Sequence, residues 1–242
     1  MRLRRGLLLD ERRCAACLMP FMPSAPAEGG AFFCSGCRTA LPRRMAGHCP
    51  LCGEPAALPL SEPVPCSACL KDAPPWEAFR FYGLHEGLLR QLILRVKFLS
   101  DLPVARALGE LMLPICRELP ACDALVPMPR HPAKLRRRGG NQCQEIARSL
   151  ARDLELPLMP QYLRRTLLTR PQTQLRGRDR RADLSASFAA EPAVSGRRIL
   201  LLDDTMTTGT SLRYGARCLL RAGAAAVCVA VVARTTLHGR MA

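Results

Sequence analysis

The residues best suited to chemistry lie in one short segment near the C-terminus. An apolar run, Ile199 to Leu202, is followed by two acids and a turn rich in hydroxyl groups. The acids could accept hydrogen bonds from a sugar diol or bind Mg2+ through water. The turn offers hydroxyls and backbone N–H groups at the start of a predicted helix, where a phosphate is stabilised. We therefore predict a small, anionic, hydroxylated ligand, bound by Asp203, Asp204, Thr205, Met206, Thr207, Thr208, Gly209, Thr210 and Ser211.

This segment resembles the phosphoribosyl-pyrophosphate (PRPP) signature of type I phosphoribosyltransferases. The resemblance implies that Asp203 and Asp204 hold the ribose 2- and 3-hydroxyls, and that the turn holds the 5-phosphate. The alternative is a strand, a turn and a helix N-cap without a ligand. A P-loop is excluded because no Gly-Lys-Ser/Thr follows the turn.

Four Cys-x-x-Cys pairs occupy the first third of the chain. Each pair can present two thiolates from one tight turn, and two such turns close a tetrahedral zinc site. Sequential grouping is the simplest arrangement, although a cross-braced one is compatible with the spacing. Redox chemistry is disfavoured, since four pairs occur without a surrounding βαβ pattern. We predict one or two structural zinc ions, bound by Cys14, Cys17, Cys34, Cys37, Cys49, Cys52, Cys66 and Cys69.

The composition is that of a basic protein with a sizeable core. The 242 residues carry 36 Lys+Arg against 20 Asp+Glu, a formal net charge of +16, and 48% are hydrophobic. Such a charge attracts phosphate-rich partners, although an arginine-rich composition is also typical of a GC-rich genome. The sequence contains neither an apolar stretch long enough for a membrane span nor a signal-peptide pattern. We therefore expect a cytoplasmic protein.

The rest of the chain alternates between strand and helix patterns. Strands are expected at 76–82, 124–129, 199–202 and 227–233, with helices at about 88–99, 103–119, 142–154 and 211–221. Such alternation predicts an α/β fold with a mostly parallel central sheet, whose ligands bind at the carboxyl ends of the strands. The expected organisation is a zinc-ribbon module at residues 1–72 and an α/β domain at residues 76–242.

From Cys14 to about Ala233, the chain resembles the ComF family (the ComFC/GntX type), in which a zinc ribbon precedes a type I phosphoribosyltransferase domain. Besides the cysteine pairs and the PRPP signature, the matching pieces are residues 126–132, 135–142 and 170–175. The family pattern there is Val-Pro-Val-Pro followed by Arg-Gly-Phe-Asn-Gln. Met128 replaces the second valine, and Gly140 replaces the phenylalanine, removing an aromatic side chain.

The resemblance also assigns two further ligand-binding segments. A pyrophosphate loop is implied at Pro127, Met128, Pro129 and Arg130, whose backbone donors and guanidinium suit an oxyanion. Nearby Lys134 and Arg136 to Arg138 could assist, or could form a solvated basic turn. Residues 163–187 resemble the mobile hood that covers PRPP, with Arg170, Gln172 and Thr173 as the expected contacts.

The implied function is PRPP binding, with Mg2+, in DNA uptake and natural transformation. Single-stranded DNA and proteins of DNA uptake or recombination are the expected partners. The alternatives are a catalytic phosphoribosyltransferase of the nucleotide-salvage type with an unknown acceptor, and a PRPP-sensing regulator. No catalytic base is identified. Glutamine-dependent amination is not expected, because residue 2 is arginine where those enzymes have a nucleophilic cysteine.

Overall fold

A four-stranded parallel sheet forms the centre of the molecule. The computed structural model describes residues 11–23, 32–44, 46–56, 63–130, 141–166 and 187–236. The strands are β1 (Arg12–Arg13), β2 (Pro20–Phe21), β3 (Ala78–Leu84), β4 (Ala124–Pro127), β5 (Leu163–Arg165), β6 (Phe188–Ala190), β7 (Arg198–Met206) and β8 (Ala226–Arg234). The helices are α1 (Ser35–Thr39), α2 (Ser67–Lys71), α3 (Gly87–Leu99), α4 (Leu102–Cys116), α5 (Gln142–Asp153) and α6 (Thr210–Arg221).

The sheet order is β3-β8-β7-β4, and all three pairings are parallel. Strands β4, β7 and β8 are rich in Val, Leu, Ile and Ala and are largely buried, as expected for a parallel sheet covered by helices, whereas β3 carries Phe79, Phe81 and Tyr82. Two short antiparallel pairs, β1 with β2 and β5 with β6, lie outside it. The predicted α/β class and parallel sheet are therefore confirmed. Within the described ranges, no helix is long and apolar enough to cross a membrane.

Strand β7 is longer than predicted. The apolar run predicts an end at Leu202, but the pairing with β8 continues to Met206 opposite Arg234. Pairing with β4 does end at Leu202. The two acids consequently lie within the strand, in a part that has β8 as its only paired neighbour in the described structure.

The two faces of the sheet pack against different parts of the chain. Helices α3, α4 and α5 cover one face, together with residues around Cys14. Helix α6 and the β5–β6 hairpin cover the other face, together with Cys49, Cys52 and Cys69. The N-terminal region thus contributes to both cores, and the predicted module boundary at residues 72–76 stays a prediction.

The N-terminal region also covers the free edge of β3. The backbone N–H of Arg44 donates to the Tyr82 carbonyl at 2.9 Å, and the Tyr82 hydroxyl donates to the Leu41 carbonyl at 2.6 Å. A bare edge strand would present unpaired backbone groups to other chains. Residues 41–44 therefore protect the sheet from edge-to-edge association.

Replacing Gly53 with alanine is expected to destabilise the fold by about 2–4 kcal/mol. Gly53 has φ +70, and an added Cβ would lie 2.8 Å from Phe79 Cε1 and 2.9 Å from Phe81 Cε1. Backbone strain and overpacking would therefore both lower the free energy of unfolding. Urea unfolding of the variant measures the cost. Gly36→Ala is a suitable control, because nothing lies within 4 Å of its added Cβ. Equal stability of the two variants would contradict the prediction.

Candidate functional site

A cleft of about 420 Å³ lies at the carboxyl ends of β3, β4 and β7. This is the edge at which parallel α/β sheets bind ligands. The loops after β3 and β4, the end of β7, the start of α6 and the end of helix α3 meet there. The cleft is lined by His85, Leu94, Lys97, Phe98, Met128, Pro129, Arg130, Arg165, Asp203, Asp204, Thr205 and Ser211.

Asp204 is the most tightly bonded acid in the cleft. It is 4% exposed, and its carboxylate accepts hydrogen bonds from Arg130 and from the Thr205 hydroxyl, the latter at 2.9 Å. The Lys97 ammonium lies 3.1 Å from the same carboxylate and donates to Thr205 Oγ1 at 2.7 Å. Two cations thus compensate one buried carboxylate. Such compensation is needed because an unpaired buried charge is strongly unfavourable.

Asp203 has a different environment from its neighbour. Its carboxylate accepts a hydrogen bond from the Asp204 backbone N–H at 2.9 Å. Burial, and then the charge of Asp204, raise the pKa of Asp203 to about 7, although Lys97 and Arg130 partly oppose the rise. The adjacent acids therefore differ in role, because Asp204 is held by cations whereas Asp203 can change its charge near neutral pH.

The raised pKa of Asp203 predicts a pH-dependent loss of stability. The folded protein keeps a proton that the unfolded chain releases near pH 4, so the free energy of unfolding falls as pH rises from about 4 to 7. Asp203→Asn removes this effect. Since Asp203 keeps some contact with solvent, we expect the variant to gain about 1 kcal/mol over the native chain between pH 5 and pH 8. Urea unfolding at both pH values measures the difference; parallel profiles would contradict the prediction.

The turn after β7 leads directly into helix α6. Gly209 has φ +72 and directly precedes α6, whose first residue is Thr210. The hydroxyls of Thr208 and Thr210 are 2.8 Å apart. Thr207 lies in the same turn, and Ser211 lines the cleft.

Met206 differs from the other residues of this segment. Its side chain is buried in the core, and the Cβ of any residue replacing Gly209 would lie 2.6 Å from its Cε atom. We therefore expect the Met206 side chain to pack against the turn from the side of the core and not to contact a ligand.

The implied pyrophosphate loop lies beside the acids. Pro127 is the last residue of β4, and the backbone N–H of Met128 donates to the Leu202 carbonyl at 2.8 Å. Asn141 donates to the Met128 carbonyl at 3.2 Å. Met128, Pro129 and Arg130 line the cleft, so two of the three predicted ligand-binding segments meet in it. The third, with Arg170, Gln172 and Thr173, lies outside the described residues, as do Lys134, Arg136 to Arg138 and Gly140.

Five residues that line the cleft are not among the predicted ligand contacts: His85, Leu94, Lys97, Phe98 and Arg165. Lys97 reaches it from the last turn of α3, although its bonding partner Thr205 is 108 positions away. Arg165 comes from β5 and lies over the Phe188 ring, 5.4 Å from its centre. His85 follows β3; burial, and then Lys97 and Arg90, lower its pKa. Arg165 lies in the segment 163–187 that resembles the hood, whereas no local signal identifies Lys97 or His85, because each acquires its role only when the sheet is assembled.

The eight cysteines of the four pairs form two groups of four. One group contains Cys14, Cys17, Cys34 and Cys37, and the other contains Cys49, Cys52, Cys66 and Cys69; within each, the sulfur atoms lie within 4.8 Å of one another. We call these the first and second cysteine clusters. They match the sequential grouping, not the cross-braced one. His48 belongs to neither cluster and packs edge-on against Phe81, with ring centres 4.8 Å apart.

The geometry of both clusters fits zinc. The sulfurs of Cys17 and Cys34 are 3.8 Å apart, and those of Cys52 and Cys66 are 3.7 Å apart. A tetrahedron with zinc–sulfur bonds of about 2.3 Å has edges of about 3.8 Å. Burial opposes ionisation of Cys14, but backbone N–H donors, among them that of Cys34 at 3.4 Å, lower its pKa to about 6. Each cluster could therefore hold one zinc ion.

Residues 141–241 match the family model described as "Phosphoribosyl transferase domain". This match covers the turn after β7, both acids and strand β8. Together with the parallel sheet, it defines the class of the protein as one with a phosphoribosyltransferase domain.

Three relatives extend the comparison to nearly the whole chain. The DNA utilization protein YhgH of Escherichia coli (strain K12) is 34% identical over 230 residues, which is 92% of this chain and 96% of that protein. Competence protein F of Haemophilus influenzae is 29% identical, covering 78% of this chain and 85% of that protein. Competence protein ComFC of Bacillus subtilis is 27% identical, covering 80% of each. The chain belongs to the ComF-type family of phosphoribosyltransferase-domain proteins.

Proposed function

We propose that this protein binds PRPP together with Mg2+ in the cleft at the carboxyl ends of β3, β4 and β7. One observation carries the proposal: a pair of adjacent acids lies between a hydroxyl-rich helix start and two cations. A ribose diol needs acceptors, whereas phosphate groups need N–H donors and positive charge. The cleft offers both within the reach of one small molecule.

Each part of the cleft would bind a different part of PRPP. Asp203 and Asp204 would accept hydrogen bonds from the ribose hydroxyls. The turn from Thr207 to Ser211 would donate to the 5-phosphate at the N-terminus of α6. The backbone around Pro129 and the Arg130 guanidinium would donate to the pyrophosphate. Bound Mg2+ would neutralise part of the pyrophosphate charge.

We further propose that the protein acts on DNA in the cytoplasm, with single-stranded DNA and proteins of DNA uptake or recombination as partners. The support is the names of the relatives, which refer to DNA utilization and competence. The formal charge of +16 favours a polyanion. Phe98, at the rim of the cleft, is 63% exposed, which suits stacking against a base.

The first test is calorimetric titration of Mg2+–PRPP into the zinc-loaded protein, with released pyrophosphate assayed in the same samples. Binding without pyrophosphate release is the expected result. Release that depends on an acceptor and is lost in Asp203→Asn/Asp204→Asn would instead support the catalytic alternative. Absence of binding would overturn the proposal.

A second test addresses DNA. We expect a labelled single strand to bind at low salt and to weaken strongly between about 50 and 200 mM salt, because phosphate contacts release counterions. Fluorescence anisotropy at several salt concentrations measures this dependence. An affinity that does not change with salt, or no binding at all, would contradict the DNA role and leave PRPP sensing as the better interpretation.

A further inference from the structure

A buried arginine at the end of β8 bonds to two separate parts of the molecule. The Arg234 side chain is 2% exposed. Its Nε donates to the Cys52 carbonyl at 2.9 Å, and its Nη1 donates to the carbonyls of Met206, at 3.2 Å, and of Thr235. Its Nη2 forms an ion pair with Glu54 at 2.5 Å. A single guanidinium thus joins the second cysteine cluster to the residue that precedes the turn after β7.

Arg234 bonds to the part of β7 that has fewer strand neighbours than the rest of it. Strand β4 pairs with β7 only as far as Leu202, so among the strands of the described residues β8 is the single partner of the segment from Asp203 to Met206. The Met206 carbonyl accepts from the Thr235 backbone N–H at 2.9 Å as well as from Arg234. These two bonds hold the last strand residue before the turn.

The second cysteine cluster holds the other side of the guanidinium. Cys52 supplies a sulfur to that cluster and a carbonyl to Arg234. Glu54 follows two residues later, and its carbonyl accepts from the Cys49 backbone N–H at 2.8 Å. The orientation of the Cys52 carbonyl and of Glu54 therefore depends on the conformation of the Cys49–Gly53 turn, which a metal ion would fix.

The energetics of a buried ion pair favour a positioning role. Removing two charges from water offsets much of their attraction, so a buried pair often adds little net stability over an apolar pair of similar size. What the guanidinium adds is direction, because its planar donors bind several acceptors in fixed positions. An apolar side chain at position 234 could fill the space but would remove one of the two donors to the Met206 carbonyl.

We propose that Arg234 is a positioning residue that makes the geometry of the turn after β7 depend on the second cysteine cluster. The part of this proposal that concerns the ligand rests on the proposed function, PRPP binding. Coupling of this kind is reciprocal. A metal in the second cluster therefore strengthens PRPP binding, and PRPP in turn strengthens metal retention by that cluster.

The first experiment needs no ligand. Hydrogen exchange is followed by mass spectrometry for peptides covering Asp203 to Ser211, in the native chain and in Glu54→Gln/Arg234→Met, which removes both charges together. We expect the variant to retain two zinc ions and to exchange at least about tenfold faster in this segment. The matched control is Glu77→Gln/Arg198→Met, which removes the exposed ion pair at the opposite end of β7 (3.1 Å) and should leave the exchange unchanged.

The second experiment uses the native chain with ligand. Cysteine alkylation in the presence of a chelator, mapped by peptide, reports metal loss from each cluster separately. We expect Mg2+–PRPP to slow alkylation of the second cluster at least about fivefold. The first cluster serves as an internal reference. Ala15 and Ala16, which lie between its Cys14 and Cys17, accept hydrogen bonds from Arg95, which also donates to Asp101. Within the described part of the chain, Arg95 forms no hydrogen bond with the turn after β7.

The outcomes separate the two proposals. Unchanged exchange in the folded charge-neutral variant would overturn the positioning role, whether or not PRPP binds. Binding of PRPP without slower alkylation of the second cluster would also overturn the positioning role. This second test uses the native chain, so it remains valid even if Glu54→Gln/Arg234→Met fails to fold. Faster exchange in a protein whose native form does not bind PRPP would overturn the proposed function and leave the positioning role intact.

Discussion

Replacing Cys52 with serine is expected to lower the free energy of unfolding by at least about 4 kcal/mol, because loss of a structural metal is among the few single changes with so large an effect. Cys52 is buried, its sulfur lies 3.7 Å from that of Cys66, and its cluster packs with Trp76, Phe79 and Phe81 under the sheet. Losing the metal would therefore open part of the core of the α/β domain as well as a surface turn.

Denaturant unfolding together with zinc analysis checks this prediction. Cys218→Ser is a matched control, because Cys218 is a partly buried cysteine that belongs to neither cluster. We expect the control to keep two zinc ions per chain and nearly native stability. If Cys52→Ser were as stable as the control, the second cluster would not contribute structurally in the way that its packing indicates.

Replacing Arg130 with methionine is expected to weaken PRPP binding about a hundredfold, equivalent to about 3 kcal/mol. Arg130 bonds to Asp204 and is one of the two cations beside that carboxylate, the other being Lys97. The change removes a donor for the pyrophosphate and also leaves Asp204 with less compensating charge. Both effects reduce affinity for the same ligand.

Calorimetry with Mg2+–PRPP measures the loss, and Arg148→Met provides a comparison. Arg148 has a side chain that is 61% exposed and pairs with Glu145 on α5, away from the cleft. Its replacement should leave PRPP affinity within a factor of about two, because exposed pairs contribute little. An Arg130→Met protein with native affinity would contradict the assignment of the loop after β4.

The sequence predicted features that depend on local spacing. The apolar residues of α3 recur with helical spacing, and Leu89, Leu92 and Val96 are buried as that pattern requires. Leu99 continues the same pattern but is 72% exposed, because the helix ends there and Ser100 has a φ of 52. The spacing of the cysteine pairs also predicted four-cysteine sites and favoured sequential grouping as the simplest arrangement, although only the structure excludes the cross-braced one.

Features that depend on distant contacts could not be predicted in the same way. In the sequence, Lys97 is one charged residue among several on an amphipathic helix, and only assembly of the sheet places it beside Asp204. Arg234 is a charge at the end of an apolar strand, a position usually associated with solvent. The motif identified Asp203 and Asp204 as site residues, whereas of the two cations that hold Asp204 only Arg130 was among the predicted residues.

The distance along the chain between Glu54 and Arg234 has a consequence for biosynthesis. The two residues are 180 positions apart, yet they form one buried pair. At about 5–20 residues per second, a ribosome needs on the order of 10–40 s to make the intervening segment. During that interval the second cysteine cluster can acquire metal, but the aromatic side chains beside it have no sheet to pack against. We therefore expect the N-terminal third of the nascent chain to be the part that needs protection from aggregation for the longest time. Synthesis of β8 allows the sheet to form and to cover these aromatic side chains.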